Sequence, residues 1–211
     1  MTDNRNVRIE WLPDKNSFKY LDEAIVKPTP VEAMKEEHDL RLGWMMYPQI
    51  GIGSGQSMID VGSRYGEYTL TALALNADHV YAFEKDPRLV KLLRENLRYN
   101  GHSFVERCSV LNRTISPITM TIDSYIFNEC SSIPKDIKWI KVDVGGQDEL
   151  NIMEGAIKTV EYYRPINVMI HHYDSGGPKN FGELFLYANS FDCRMVAVQR
   201  GDDLISTTTI Y

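Results

Sequence analysis

Apolar and polar positions along this chain switch repeatedly between a period of two and a period near 3.6, and that switching predicts alternating strands and helices. A short apolar run at Met58-Ile59-Asp60-Val61 ends in a glycine turn; Tyr65 to Asn76 then reads as a helix and His79 to Phe83 as a second strand. Asp86 caps the next helix with Pro87 at its first position, Leu89, Val90, Leu93 and Leu97 mark its apolar face, and Gly101 closes it. Phe104 to Leu111 reads as a third strand, and Asn112 to Ile137 as irregular chain with two proline breaks and an extended piece at Thr119 to Ile122. Trp139 to Val144 is a compact apolar strand, Asp148 to Val160 a helix with Leu150, Met153, Ile157 and Val160 facing inward, and Ile166 to His171 another strand. Phe181 to Asn189 predicts a short helix, and Cys193 to Gln199 and Leu204 to Tyr211 flank the tip Gly201-Asp202-Asp203 as a hairpin. The sum is an α/β chain with a doubly wound, mostly parallel sheet and a C-terminal antiparallel hairpin.

Before Met58 the pattern is looser. Lys27-Pro28-Thr29-Pro30 separates a polar stretch from a helix predicted from Pro30 to about Met46, opened by a capping-box pattern and stopped by Pro48 and by Gly51, Gly53 and Gly55. Residues 1–57 therefore read as an N-terminal accessory helical segment or lid, and residues 58–211 as the main domain. Tyr20, Trp44 and Tyr47 either pack that segment onto the body or cover a pocket. The glycines from Gly51 to Gly55 have the look of a phosphate loop, but they precede a strand instead of following one and read as a flexible connector.

Composition changes the picture in three respects. With 211 residues and 43% hydrophobic content the chain suits one folding unit. A formal charge of −6 disfavours nucleic acid as a partner. Cys108, Cys130 and Cys193 lack any C-x-x-C pairing and read as buried reduced thiols; with no apolar leader or membrane-length run, a soluble, cytoplasmic protein is expected.

The chemistry concentrates between Asp60 and Glu84, two acids 24 positions apart at the ends of consecutive strands. Gly62 and Gly66 permit positive φ or close approach where strand turns into helix, leaving helix N-terminal N–H groups to meet a ligand. Glu84 would place two acceptor oxygens where ribose hydroxyls lie in a doubly wound sheet. The turn reads D-x-G-x-x-x-G, not the G-x-G-x-x-G of dinucleotide sites, and Asp60 would balance a cation; S-adenosylmethionine fits better than NAD. Asp60 and Gly62, with Ser63 and Gly66 in the same turn, are expected at the methionine end of that cofactor, Glu84 at its ribose, and Lys85, Cys108 and Ser109 around its adenine. Arg64 has two open readings, a solvent-facing residue or a grip on the methionine carboxylate.

From about Met58 to Tyr173 the chain resembles the FkbM family of S-adenosylmethionine-dependent methyltransferases. Four blocks match in order: M-I-D-V-G-S-R-Y-G-E-Y; V-Y-A-F-E-K-D-P-R-L-V-K-L-L-R-E-N-L-R-Y-N; T-I-D-S-Y-I; and I-K-W-I-K-V-D-V-G-G-Q-D-E-L-N-I-M-E-G-A. The resemblance implies a Rossmann-like class I methyltransferase fold and O-methylation of a small-molecule or glycan hydroxyl. Three departures stand near the implied site: Arg64 for the usual Asn, Gly145 for the usual Glu, and Ile170 where a Glu is common. They thin the acidic part of the site and bear on turnover, metal dependence and substrate choice.

Methyl transfer from a sulfonium is an in-line displacement, so positioning comes first and a base second. Asp143, His171 and His172 stand at strand carboxyl ends where such groups belong. Asp143 either orients the acceptor or caps the helix near Asp148. Neighbouring strand positions face opposite ways, so at most one of His171 and His172 lines the site, as a base or as a satisfied partly buried histidine, and no metal ligand set is expected from the pair. Two alternatives stay open. The first two blocks also resemble tRNA guanine methyltransferases, although an N-P-P-Y-like loop is missing where Asp143-Val144-Gly145-Gly146 stands, and the departures leave room for a nonenzymatic cofactor-binding module.

Overall fold

The computed structural model describes residues 7–11, 25–29, 52–145, 148–164, 166–172, 193–199 and 204–210, with side chains in 52–145, 148–164 and 166–170. The expected helices at 30–46 and 181–189, together with Tyr20, Trp44 and Tyr47, lie outside these residues. First in the chain come β1 (Val7–Trp11) and β2 (Ile25–Thr29), paired antiparallel in a sheet of their own.

All five residues of β3 (Ser57–Val61) are buried, as befits a parallel strand covered on both faces. It pairs in parallel with β4 (His79–Phe83) on one side and β6 (Ile137–Val142) on the other. Beyond β4 lies β5 (Cys108–Leu111); beyond β6 lie β7 (Ile166–His172), β9 (Leu204–Ile210) and β8 (Cys193–Gln199), giving the order β5-β4-β3-β6-β7-β9-β8. The first five are parallel, and β9 runs antiparallel to both β7 and β8. Strand order reverses at β3, so a crevice opens beyond the carboxyl ends of β3 and β6.

Period-two alternation sorts the strand residues onto two faces. Met58, Val80, Ala82, Trp139 and Met169 pack with α1 (Glu67–Ala74) and α2 (Pro87–Asn100) through Leu70, Leu73, Leu93 and Leu97. Ile59, Val61, Phe83, Ile140 and Val142 pack on the opposite face with Ile122, Ile126, Ile152, Met153 and Val160. Asp86 caps α2 by accepting from the Arg88 N–H at 2.9 Å, and Gly101 ends it, both as expected.

Elsewhere the expected elements are corrected. Residues read as the start of the third strand form α3 (His102–Glu106), and β5 begins only at Cys108. Arg107, between them, donates to the carbonyls of Leu73, in the last turn of α1, and of Ala77, just beyond it. The stretch expected to be extended at Thr119 to Ile122 leads into α4 (Ile122–Ser124), which opens with a Thr121–Ser124 capping box and widens into a π-turn at Tyr125–Glu129. The long helix expected at 148–160 is two, α5 (Glu149–Glu154) and α6 (Ile157–Tyr162). A Cβ on Gly155 would stand 2.9 Å from the Thr121 side chain, so the break admits close approach of the T-I-D-S segment. Asp123 there accepts from the N–H groups of Lys158 and Thr159, capping α6 from a distance. The T-I-D-S-Y-I block and the Gly155 end of the fourth block thus meet in a structural junction. Cys108 and Cys130 are half-buried, not buried, and the glycine connector is pinned, since the Gly55 N–H donates to Asp78 at 2.8 Å.

Candidate functional site

The turn between β3 and α1 is held by its own backbone. Gly62 and Ser63 both donate to the Phe83 carbonyl, at 2.9 and 3.0 Å, Arg64 donates to Glu84 Oε2 at 2.9 Å, and Gly66 to the Ser63 carbonyl at 2.8 Å. These hydrogen bonds fix the shape of the turn ahead of α1. Gly62 has φ 73°, and a Cβ on it would lie 1.8 Å from the Asp143 carbonyl oxygen, so this turn and the end of β6 are in direct backbone contact. Gly66 serves packing: a Cβ there would meet Leu93 Cδ1 at 2.4 Å. Arg64 is exposed, adopts φ 50°, and lays its guanidinium 5.4 Å from the Tyr65 ring centre. Burial, with Glu67 nearby, pushes the Tyr65 hydroxyl well above its ordinary pKa, so it stays protonated.

Glu84 is 5% exposed and directly follows β4. Its Oε1 accepts from the Asp86 N–H at 2.8 Å and its Oε2 from Arg64, which fixes the carboxylate plane while each oxygen keeps acceptor capacity. Asn112, just after β5, donates its amide to the carbonyls of Glu84 and Lys85 and ties the two strand ends together. Arg113 follows, paired with Glu129 at 2.7 Å.

These groups surround a cleft of about 480 Å³. Phe83, Leu89 and Ile115 form an apolar wall, and Glu84, Asp143 and Asp148 bring carboxyl groups to it. Arg64, Lys85 and Arg113 are exposed cations on its lining. Of the residues singled out in the sequence for the site, Gly62, Arg64, Glu84, Lys85, Asp143 and Gly145 line the cleft. His171 and His172 end β7, beside the end of β6, in register with Ile205 and Leu204 of β9.

Others stand elsewhere. Asp60 is fully buried: Oδ2 accepts from the Thr69 hydroxyl at 2.7 Å and Oδ1 lies 3.0 Å from Lys141 Nζ. Its carboxylate is therefore engaged inside the protein, not presented to a ligand. Ser63 is buried, with its hydroxyl turned to the Phe83 carbonyl at 3.4 Å. Cys108 and Ser109 sit back from the strand's carboxyl end; Ser109 bonds His79 at 2.8 Å, and desolvation, with the Asp60 carboxylate as a lesser cause, raises the pKa of the Cys108 thiol. Because α3 delays β5, the residues that reach the cleft are Arg113 to Ser116, which the sequence reading missed along with Val144 and Asp148.

No protein-family model matches the chain. Over 87 residues, 41% of its length, it is 28% identical to the ribosomal protein L11 methyltransferase of Carboxydothermus hydrogenoformans, of which it spans only 28%. Its fold is similar to the methyltransferase FkbM of Methylobacillus flagellatus (TM-score 0.64, 18% identity, 85% of this chain and 50% of that one). It is also similar to M. capricolum TrmK, solved with S-adenosylhomocysteine (TM-score 0.53, 15% identity, 81% and 66%). A Clostridium thermocellum protein described as an rRNA-methylase gives TM-score 0.60 at 12% identity, covering 79% of this chain and 92% of that one. These identities show a shared fold and not membership of the FkbM family in particular. The expectation that disfavoured nucleic acid is overturned: a protein of this fold is described as an rRNA-methylase, and a net charge averages the whole surface. Among the described residues no helix is long and apolar enough to cross a membrane. The chain has the doubly wound, Rossmann-like fold of the class I S-adenosylmethionine-dependent methyltransferases.

Proposed function

We propose that this protein is an S-adenosylmethionine-dependent methyltransferase acting on RNA. The observation that carries the cofactor reading is Glu84, a nearly buried carboxylate fixed by two backbone N–H groups on the lining of a cleft at the switch point of the sheet. Its remaining lone pairs suit a ribose diol, the apolar wall of Phe83, Leu89 and Ile115 suits a base, and about 480 Å³ suits a nucleoside-sized ligand. Gly62 brings backbone to the cleft, and Arg64 and Lys85 are the cations for a carboxylate and a base edge. When bound, the cofactor supplies an electrophilic methyl group on a sulfonium.

The chain's own contribution is orientation. Asp143 closes β6 on the cleft and is assigned to acceptor positioning, with His171 or His172, at the next strand end, as the proton-accepting group. RNA is supported by a protein of similar fold described as an rRNA-methylase and by Arg64 and Lys85, exposed cations on the cleft lining. Asp143-Val144-Gly145-Gly146 differs from an amino-methylating loop, which directs the reading to a hydroxyl or ring nitrogen. A cytoplasmic setting accompanies it. A second reading, O-methylation of a small-molecule or glycan hydroxyl, is supported by the four ordered sequence blocks and the similarity to the FkbM structure.

Radiolabelled S-adenosylmethionine incubated with the protein and bulk RNA tests both. Label that becomes soluble on ribonuclease treatment, with transfer that weakens steeply as salt rises, supports RNA. Label only in a glycan or small-molecule fraction supports the second reading, and cofactor binding without transfer to any fraction would mean a nonenzymatic module.

A further inference from the structure

A lysine in the middle of a buried strand is rare without a purpose. Lys141 stands in β6, 2% exposed, directly across the ladder from Asp60 of β3. Its ammonium lies 3.0 Å from Asp60 Oδ1, donates to the Gly62 carbonyl at 2.8 Å, reaches the Val61 carbonyl at 3.4 Å, and faces the Tyr68 ring at 4.9 Å. Asp60 in turn is held by Thr69 of α1 at 2.7 Å.

Two apolar residues would fill this space at less desolvation cost than an ion pair. What they could not do is hold the Gly62 carbonyl. That carbonyl shares its peptide unit with the Ser63 N–H, which donates to the Phe83 carbonyl at 3.0 Å, so the peptide plane between Gly62 and Ser63 is held from both edges. The next anchored amide, Arg64, lands on Glu84. We propose that Lys141 is a positioning residue for the cofactor turn: it orients Gly62, and through it the Arg64 N–H that aims Glu84, with Asp60 as its counter-ion and not as a ligand contact.

The inference deepens the cofactor reading above and rests on it, so the test separates the two. Lys141→Met or Asp60→Asn alone leaves a buried charge without its partner and is expected to lower the melting temperature. The double variant Asp60→Asn/Lys141→Met removes both charges and should recover most of that loss, yet the Gly62 carbonyl still lacks its donor. Calorimetry should then show S-adenosylhomocysteine binding about tenfold weaker than wild type. Hydrogen exchange on the ligand-free protein should show residues 62–65 exchanging faster than wild type, with α2 unchanged. A double variant that recovers both affinity and protection of the turn would overturn the inference and leave the pair a structural element. Wild-type protein that binds no S-adenosylhomocysteine would sink the cofactor reading, and the exchange measurement would still decide the role of Lys141.

Discussion

The turn after β3 and the turn after β6 both carry a glycine in the left-handed region, Gly62 at φ 73° and Gly145 at φ 71°, yet their surroundings are opposite. A Cβ on Gly62 would be driven into the Asp143 carbonyl at 1.8 Å, while one on Gly145 would meet nothing within 4 Å. The first turn is locked by Phe83, Glu84 and Lys141. Gly145, by contrast, is exposed on the cleft. A ligand shared across a whole fold calls for the first kind of turn, because its shape never changes; acceptors differ, and the second kind leaves room to differ.

Gly62→Ala should have the largest effect. It combines positive φ with a backbone clash, and is expected to destabilise by about 3 kcal/mol or more and to abolish S-adenosylhomocysteine binding, read by urea unfolding and calorimetry. Glu84→Gln comes next. One of its two backbone partners would face an amide NH₂ instead of an oxygen, and the predicted loss in binding is about 2 kcal/mol with a smaller change in stability. Gly145→Ala should cost only about 1 kcal/mol, for the backbone alone, and Gly145→Asn less, since Asn tolerates that conformation. Either variant altering cofactor affinity as strongly as Glu84→Gln would erase the contrast between the turns.

The smallest effect lies at the other end of the sheet. Burial and, secondarily, Arg107 lower the pKa of His79. The unfolded chain therefore takes up a proton below about pH 6.5 that the folded chain refuses, so stability is full above that value and declines as pH falls toward the depressed pKa. His79→Asn should flatten the acid side of the urea-midpoint profile without changing cofactor affinity, which separates fold from site.

Gly62 and Glu84 were legible because a backbone constraint and a strand-end acid leave direct marks in sequence. Asp60 was misread although its parity with Met58 puts it on the face covered by α1, and Lys141 within I-K-W-I-K-V called for a buried partner. Two charges in neighbouring apolar strands were each other's answer. Arg113 to Ser116 could not be found the same way. Their place depends on α3, formed by a stretch whose β-branched and aromatic residues suggest a strand, and on Arg107 closing α1 from 34 positions away. The junction of Asp123 with α6 spans 36 positions and left only an uninterpreted motif.

The most direct test is calorimetry of S-adenosylhomocysteine on the wild-type protein beside Glu84→Gln, with NAD as competitor. Micromolar binding that weakens in the variant and ignores NAD is the predicted result. Folded wild-type protein that binds no S-adenosylhomocysteine, or yields its site to NAD, would contradict the account.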